Sequence, residues 1–249
     1  MAIETGSNIE YPNLSVVREF ARTRYGDFCR RDGKTLYADY ATAFADRAHQ
    51  YAWDHFGSTH VYVPPLVKVT IDTIYCAAML ADAQRLRGLL YEEVVQLVNL
   101  ECGSIVSQVN CDIRMANPNR MRDHSGKLYQ APVQVQLVKL AELTVGLEEL
   151  LGFFKLVSAA TEKKPAPFTE AELIEYANVW LLEADTYVQA LHRLRASATM
   201  APIKNWVHRT IKSFSDAVTA KKRKAELMAA VIENIESRKA KKTKKPLRR

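Results

Sequence analysis

Two groups of basic residues near the C-terminus are the side chains whose type and spacing most clearly indicate a chemistry. Residues 221–249 hold 12 Lys and Arg against three acids, a local net charge of +9, whereas residues 1–220 hold 23 basic and 25 acidic side chains. Clustered cations bind phosphate groups and release counterions as they do so. Such contacts hold a nucleic-acid backbone without reading its bases. The predicted contacts are Lys221, Lys222, Arg223, Lys224, Arg238, Lys239, Lys241, Lys242, Lys244, Lys245, Arg248 and Arg249.

Two smaller basic groups are further candidates for nucleic-acid binding. The first lies around Tyr25, and an Arg and aromatic surface of this kind suits stacking on single strands. The second lies in a polar segment after the Asn117-Pro118-Asn119 break, where a loop between apolar helices could grip phosphate. A solvated helix face and an ordinary polar connection are the respective alternatives. The candidate residues are Arg18, Arg22, Arg30 and Arg31 in the first group, and Arg120, Arg122 and Lys127 in the second.

No motif of catalysis or metal binding occurs in the sequence. The densest group of ligand-type residues surrounds His49 and His55, but a separation of six residues places these two nearly opposite each other on a helix. Glu148 and Glu149 are adjacent and therefore diverge by about a hundred degrees on a helix. We predict no catalytic residue, no metal and no cofactor. An enzyme with a site dispersed in the sequence stays open as an alternative, which a pocket with convergent Asp, Glu or His would favour.

The segregated charge predicts a non-enzymatic protein that binds RNA or DNA through its C-terminal arm, as a nucleoprotein or a packaging or coat-like protein does. The alternative is a structural or assembly protein that self-associates or docks a partner through helical faces, with the basic segment as a nuclear import signal. The expected partners are accordingly nucleic acid, a homo-oligomer and an import receptor, and not a membrane.

Composition and cysteine spacing predict an intracellular protein with an ordinary core. The chain has 249 residues, 48% of them hydrophobic and 25% charged, which is typical of globular proteins. No apolar stretch reaches the length of a bilayer span, and residues 1–10 do not resemble a signal peptide. Cys29, Cys76, Cys102 and Cys111 fit neither a zinc site nor a secreted disulfide framework. We expect a cytoplasmic or nuclear location, including one within a nucleoprotein particle.

Apolar residues recur at helical spacing through most of the chain, which predicts an all-α fold. Helices are expected from about Asn13 to Gly33 and from Thr35 to Phe56. A third is expected from Pro65 to Leu86, although the alternation at 67–71 also fits a strand. One helix should span 90–115, and a polar loop with a short hairpin near 113–136 should follow.

A long helix should follow Pro132, although the alternation at 133–137 also fits a short strand, and Gly146 and Gly152 are expected points of close packing. Thr169 and Glu172 form a capping box, which starts the next helix, and Pro202 starts the last. We therefore predict a two-lobed bundle of six to seven helices. Its expected parts are a flexible N-terminus (1–12), an N-terminal lobe (13–159), a linker (160–168), a C-terminal lobe (169–237) and a disordered basic tail (238–249).

Overall fold

Helices make up nearly all the regular structure of this chain. The computed structural model describes residues 11–57, 63–110, 117–160, 166–196, 198–216 and 219. Within these ranges there is no strand, and a single β-bridge joins Cys29 to Leu36. The predicted all-α class is therefore confirmed. The helices are α1 (Leu14–Tyr25), α2 (Tyr37–Ala52) with a π-helical turn (Trp53–Gly57), α3 (Pro65–Arg87), α4 (Tyr91–Leu97), α5 (Leu100–Val109), α6 (Asn117–Gln130), α7 (Val133–Ser158), α8 (Glu170–Ala190) and α9 (198–216).

Two long helices form the centre of the fold. Every residue of α3 from Ile71 to Ala83 is buried, and α7 is buried on more than one face from Val135 to Val157. A helix that is covered all round lies inside a protein rather than at its surface. The contacts agree, because α1, α2, α5 and α7 all pack on α3, while α2, α5 and α8 pack on α7.

Local signals explain where several helices begin and end. The Asn13 side chain accepts a hydrogen bond from the Val16 amide at the start of α1, and Pro65 occupies the first turn of α3, where its missing donor costs nothing. Gly88 ends α3 in the left-handed conformation, with φ of 63°, which an L side chain rarely adopts. The predicted capping box is confirmed: Thr169 accepts from the Glu172 amide, and the Glu172 carboxylate accepts from the Thr169 amide.

Two local predictions in the middle of the chain are wrong. The predicted hairpin and polar loop are helix α6, whose buried residues Met121, His124 and Leu128 recur at helical spacing. The long helix predicted after Pro132 is confirmed, because residues 133–137 open α7 and do not form the strand that was the alternative there. The single helix predicted for 90–115 is two helices, since the Asn99 side chain accepts from the Cys102 amide and so caps a new start.

The C-terminal helices pack on the same core. Helix α8 contacts α6 and α7, and Val207 and Phe214 of α9 are buried in that core. A Cβ atom at Gly146 would overlap the Trp180 ring, whereas one at Gly152 would meet open space. Of these two glycines, only Gly146 is therefore a point of close packing. None of the helices in the described ranges combines the length and the hydropathy that crossing a bilayer requires.

Some predictions rest on residues for which no structure is described. The basic residues of 221–249, together with residues 1–10 and 161–165, lie outside the described ranges. The division into two lobes at 160–168 stays a prediction.

Candidate functional site

Charged and polar side chains from five helices meet in the interior. We call this group the polar cluster. It lies where α3 and α7 pack on each other; α2 contacts both of these helices, α8 contacts α7, and α6 contacts α8. Its members are Tyr37 of α2, Asp82 and Arg85 of α3, Arg120 and His124 of α6, Lys139 and Glu142 of α7, and Glu183 and Tyr187 of α8.

Asp82 anchors one side of the polar cluster. Its carboxylate forms an ion pair with Arg85 one helical turn later and accepts a hydrogen bond from the Tyr37 hydroxyl at 2.9 Å. Asp82, with a contribution from Glu142, raises the pKa of the Arg85 guanidinium. Arg85 is therefore a permanent cation that faces two carboxylates from different helices.

Lys139 and Glu142 form the centre of the cluster, one helical turn apart on α7. Their charged groups are 2.7 Å apart, and the Lys139 ammonium lies 4.6 Å from the centre of the Tyr187 ring. Burial alone would raise the pKa of Glu142, but Lys139 and Arg85 outweigh it and hold that pKa below its ordinary value. Glu142 is consequently ionised at neutral pH.

Glu183 shows the opposite shift. Burial raises the pKa of its carboxyl group, and the cation of Lys139 only partly offsets this effect. Arg120 also pairs with it, with 3.9 Å between the charged groups. The cluster thus holds two carboxylates whose surroundings move their pKa values apart, an arrangement that in enzymes separates a proton acceptor from a proton donor.

His124 is held between two polar neighbours. Its Nε2 lies 3.2 Å from the Gln108 carbonyl oxygen and its Nδ1 lies 3.3 Å from the Tyr187 hydroxyl. These partners favour a proton on Nε2, since a carbonyl can only accept. Burial, together with the positive charge of Lys139, lowers the pKa of His124 to about 4. The ring is therefore neutral at pH 7.

The polar cluster is partly exposed to solvent. The side chains of Asp82 and Lys139 are almost fully buried, whereas 14% of Glu142, 21% of Glu183 and 33% of Arg85 are exposed. Both carboxylates with shifted pKa values therefore touch water beside a guanidinium group.

The residues around His49 have a structural environment instead. Its Nε2 lies 3.4 Å from the Asp72 carboxylate, and its ring packs edge-on against Trp53 and Tyr75. His60, which the sequence places nearby, lies outside the described residues. Among the residues that are described, no group of three or more His, Cys, Asp or Glu is placed to hold a metal ion.

The seven predicted nucleic-acid contacts that the structure describes are divided among separate elements. Four of them form ion pairs within the chain: Arg18 with Asp46, Arg30 with Glu149, Arg120 with Glu183, and Lys127 with Asp123. The remaining three are Arg22, exposed on α1, Arg31, which stacks 4.3 Å from the centre of the Tyr176 ring, and Arg122, beside a cavity between α6 and α8.

Arg30 differs most from its predicted role. Two of its nitrogens contact the two oxygens of Glu149, and its guanidinium carbon lies 3.7 Å from the centre of the Tyr40 ring. Burial alone would lower the pKa of Arg30, but Glu149 and neighbouring tyrosines raise it overall. This side chain joins the segment after α1 to α7 and is not presented to solvent.

Sequence reasoning missed the polar cluster. One signal was present: Asp82 follows a run of buried apolar residues, and Lys139 and Glu142 stand between the buried residues Leu137, Leu140 and Leu143. An isolated charge in a helix that is apolar all round must find a partner inside the protein. That signal indicates buried charges but does not say which helices supply their partners.

One comparison with known proteins gives a match. No family model matches the chain, and no curated protein matches it either. A solved structure has a similar fold, with a TM-score of 0.54 and 18% sequence identity, over 80% of this chain and 97% of the other. That structure is of a metazoan ortholog of SpoT, which hydrolyses ppGpp and plays a role in starvation responses. The likeness, at this identity, is one of fold.

The match corrects the functional prediction made from charge. We predicted a non-enzymatic nucleic-acid-binding protein, or alternatively an assembly protein, and both predictions are contradicted because the helices are arranged as in a hydrolase. The reasoning failed because the charge concentrated in residues 221–249 describes that segment and not the rest of the chain, where four of the seven candidate cations that the structure describes pair with acids of the same chain. Over 80% of this chain, the fold is similar to that of the metazoan SpoT ortholog.

Proposed function

We propose that this protein is a hydrolase of a small phosphate ester, of the chemical class to which ppGpp belongs, and that the polar cluster is its active site. The observation that carries the proposal is the pair of carboxylates, Glu142 and Glu183, whose pKa values are shifted in opposite directions beside three cations. The fold shared with a ppGpp hydrolase supports the choice of reaction. We therefore adopt the alternative of an enzyme whose site residues are dispersed in the sequence.

The cations suit a phosphate substrate. Arg85 and Arg120 carry guanidinium groups, whose planar donors match phosphate oxygens in pairs, and Lys139 adds a compact positive charge between them. When Glu183 holds the proton that burial favours and His124 is neutral, the three cations face only two negative carboxylates, Asp82 and Glu142. The site then has a net positive charge, which favours an anion and stabilises the charge that develops on phosphoryl oxygens.

The two carboxylates divide the proton transfers of hydrolysis. Glu142, ionised because Lys139 and Arg85 lower its pKa, takes a proton from the attacking water. The water oxygen bonds to phosphorus as the bond between phosphorus and the leaving oxygen breaks. Glu183, whose pKa burial raises, supplies the proton that the leaving oxygen requires. The products are an inorganic phosphate or diphosphate and the remaining alcohol or nucleotide.

The test is hydrolysis of ppGpp by the full chain, followed by ion-exchange chromatography of the products with and without added Mg²⁺ or Mn²⁺. We expect Glu142→Gln and Glu183→Gln each to lower the rate by at least about 100-fold, the lower end of what general acid and base groups contribute. Glu148→Gln is the matched control, since it makes the same change on α7 in a pair with Arg47 outside the cluster. A rate of zero for the unmodified protein on ppGpp and on other nucleotide phosphates would contradict the proposal.

The cellular location of the protein is a further proposal, and its partners stay predictions. We propose an intracellular location, cytoplasmic or nuclear, because Cys76 and Cys102 are buried free thiols of the kind that suits a reducing compartment. Self-association and an import receptor that reads the basic segment stay predictions, and that segment lies outside the described residues.

A further inference from the structure

A cavity outside the polar cluster lies between the C-terminal half of α7 and α9. It has a volume of about 870 Å³, and none of the polar-cluster residues lines it. Its lining includes Phe154 and Lys155 of α7 and Trp206, Arg209 and Phe214 of α9. A volume of this size accommodates a small organic molecule.

The apolar part of the cavity is aromatic. Phe154 and Phe214 are buried and meet edge to face, with 5.2 Å between ring centres. Trp206 is 51% exposed, although an indole is among the side chains that gain most from burial. The cavity thus combines an ordered pair of rings with a large aromatic surface that the described residues leave in contact with solvent.

The charged part of the cavity has one sign. Lys155 and Arg209 both line it, and no acidic residue does. The Arg209 Nε donates to the Asn205 carbonyl oxygen at 3.2 Å, which orients the guanidinium group along α9. Within the described ranges neither cation forms an ion pair. By contrast, four basic side chains elsewhere in the fold form ion pairs with carboxylates of the chain: Arg24, Arg47, Lys127 and Lys204.

We propose that this cavity binds a small planar aromatic anion, with its ring against Trp206 and the Phe154–Phe214 pair and its acidic group between Lys155 and Arg209. The three hydroxyl-bearing residues that also line the cavity suit the oxygens of a sulfonate, carboxylate or phosphate group. The chain's own segment 221–249 is a poor occupant, because its net charge of +9 has the same sign as the lining. The site is independent of the hydrolase proposal.

Two fluorescent probes that differ in one group test this inference. 1-Anilinonaphthalene-8-sulfonate carries the ring system and an anionic group, whereas N-phenyl-1-naphthylamine carries the ring system alone. We expect the sulfonate to bind one site on the full chain, and Lys155→Gln or Arg209→Gln to weaken that binding by about fivefold each, the upper range for a partly exposed charge pair. The same variants should leave affinity for the uncharged probe unchanged. Trp206→Ala should weaken both probes.

Lys212→Gln is the control, because it removes a cation from α9 that does not line the cavity. Thermal unfolding confirms that each variant is folded, and all four replaced side chains are exposed, so large stability changes are not expected. The proposal is overturned if the cation variants weaken both probes equally, if the control weakens sulfonate binding as much as they do, or if binding falls with protein concentration, which would make the cavity an interface between copies.

Discussion

The buried side chain of His124 should make the stability of this protein depend on pH. His124 is 1% exposed, and its pKa is about 4 in the folded state, against an ordinary value of about 6.5 in the unfolded chain. Between these two values the unfolded chain binds a proton at His124 that the folded protein does not. The neutral His124 ring therefore makes its full contribution to the free energy of unfolding above pH 6.5, and this contribution is lost progressively as the pH falls to 4.

The size of the effect follows from the shift. A difference of about 2.5 pKa units corresponds to about 3 kcal/mol of unfolding free energy between pH 7 and pH 4. The replacement His124→Gln removes the titrating group and keeps an amide nitrogen that can donate to the Gln108 carbonyl oxygen. We expect the variant to be less stable at pH 7, because it loses packing and the contact with the Tyr187 hydroxyl.

Urea unfolding of both proteins between pH 4 and pH 8 measures the effect. The free energy lost on acidification should be about 3 kcal/mol smaller in the variant than in the unmodified protein. Other titrating groups near the ring, including Glu142 and Lys139, are present in both proteins and largely cancel in the comparison. Parallel curves, with the same difference at pH 4 as at pH 7, would refute the account of His124 as a buried neutral base.

Two further pairs of variants test the packing and the buried charges. Gly146→Ala should destabilise the protein by about 1 to 2 kcal/mol, because its Cβ would overlap the Trp180 ring, whereas Gly152→Ala should stabilise it by about 0.5 to 1 kcal/mol. Thermal or urea unfolding distinguishes these results, and equal effects would contradict the close approach of α7 and α8. Glu149→Gln should lower the free energy of unfolding by about 3 kcal/mol, because it leaves a buried cation unpaired. Glu148→Gln should lower it by under about 1 kcal/mol, because 40% of the Glu148 side chain is exposed against 15% of Glu149. Similar losses in the two variants would contradict this difference in burial.

Local signals in the sequence were enough to predict many helices, because those signals act over a few residues. The capping box at Thr169, the proline at the start of α3 and Gly88 at its end each determine a boundary without help from the rest of the chain. Helix α6 shows where this fails. Its buried face consists of three residues amid polar ones, and Ser125 and Gly126 are typical of a turn, so contact with α5 and α8 decides its structure.

The residues of the candidate site are far apart in the sequence and come together only in the fold, so the spacing of residues along the chain could not predict the site. Asp82, Glu142 and Glu183 come from three helices, and their pKa values depend on which of them faces Lys139 or Arg85. The basic segment, in contrast, was conspicuous in the sequence and led to the wrong functional class. A local excess of charge identifies a property of its own segment, whereas a catalytic site requires a folded arrangement.

The pH dependence of kcat/KM for ppGpp hydrolysis tests the central claim most directly, since it assigns each carboxylate its own part of the profile. We expect a bell-shaped profile whose acidic limb reports the protonation of Glu142 and whose alkaline limb reports the ionisation of Glu183. Glu142→Gln should remove the acidic limb from the residual activity, and Glu183→Gln should remove the alkaline limb. Activity that retains both limbs in both variants would show that the polar cluster is not the active site.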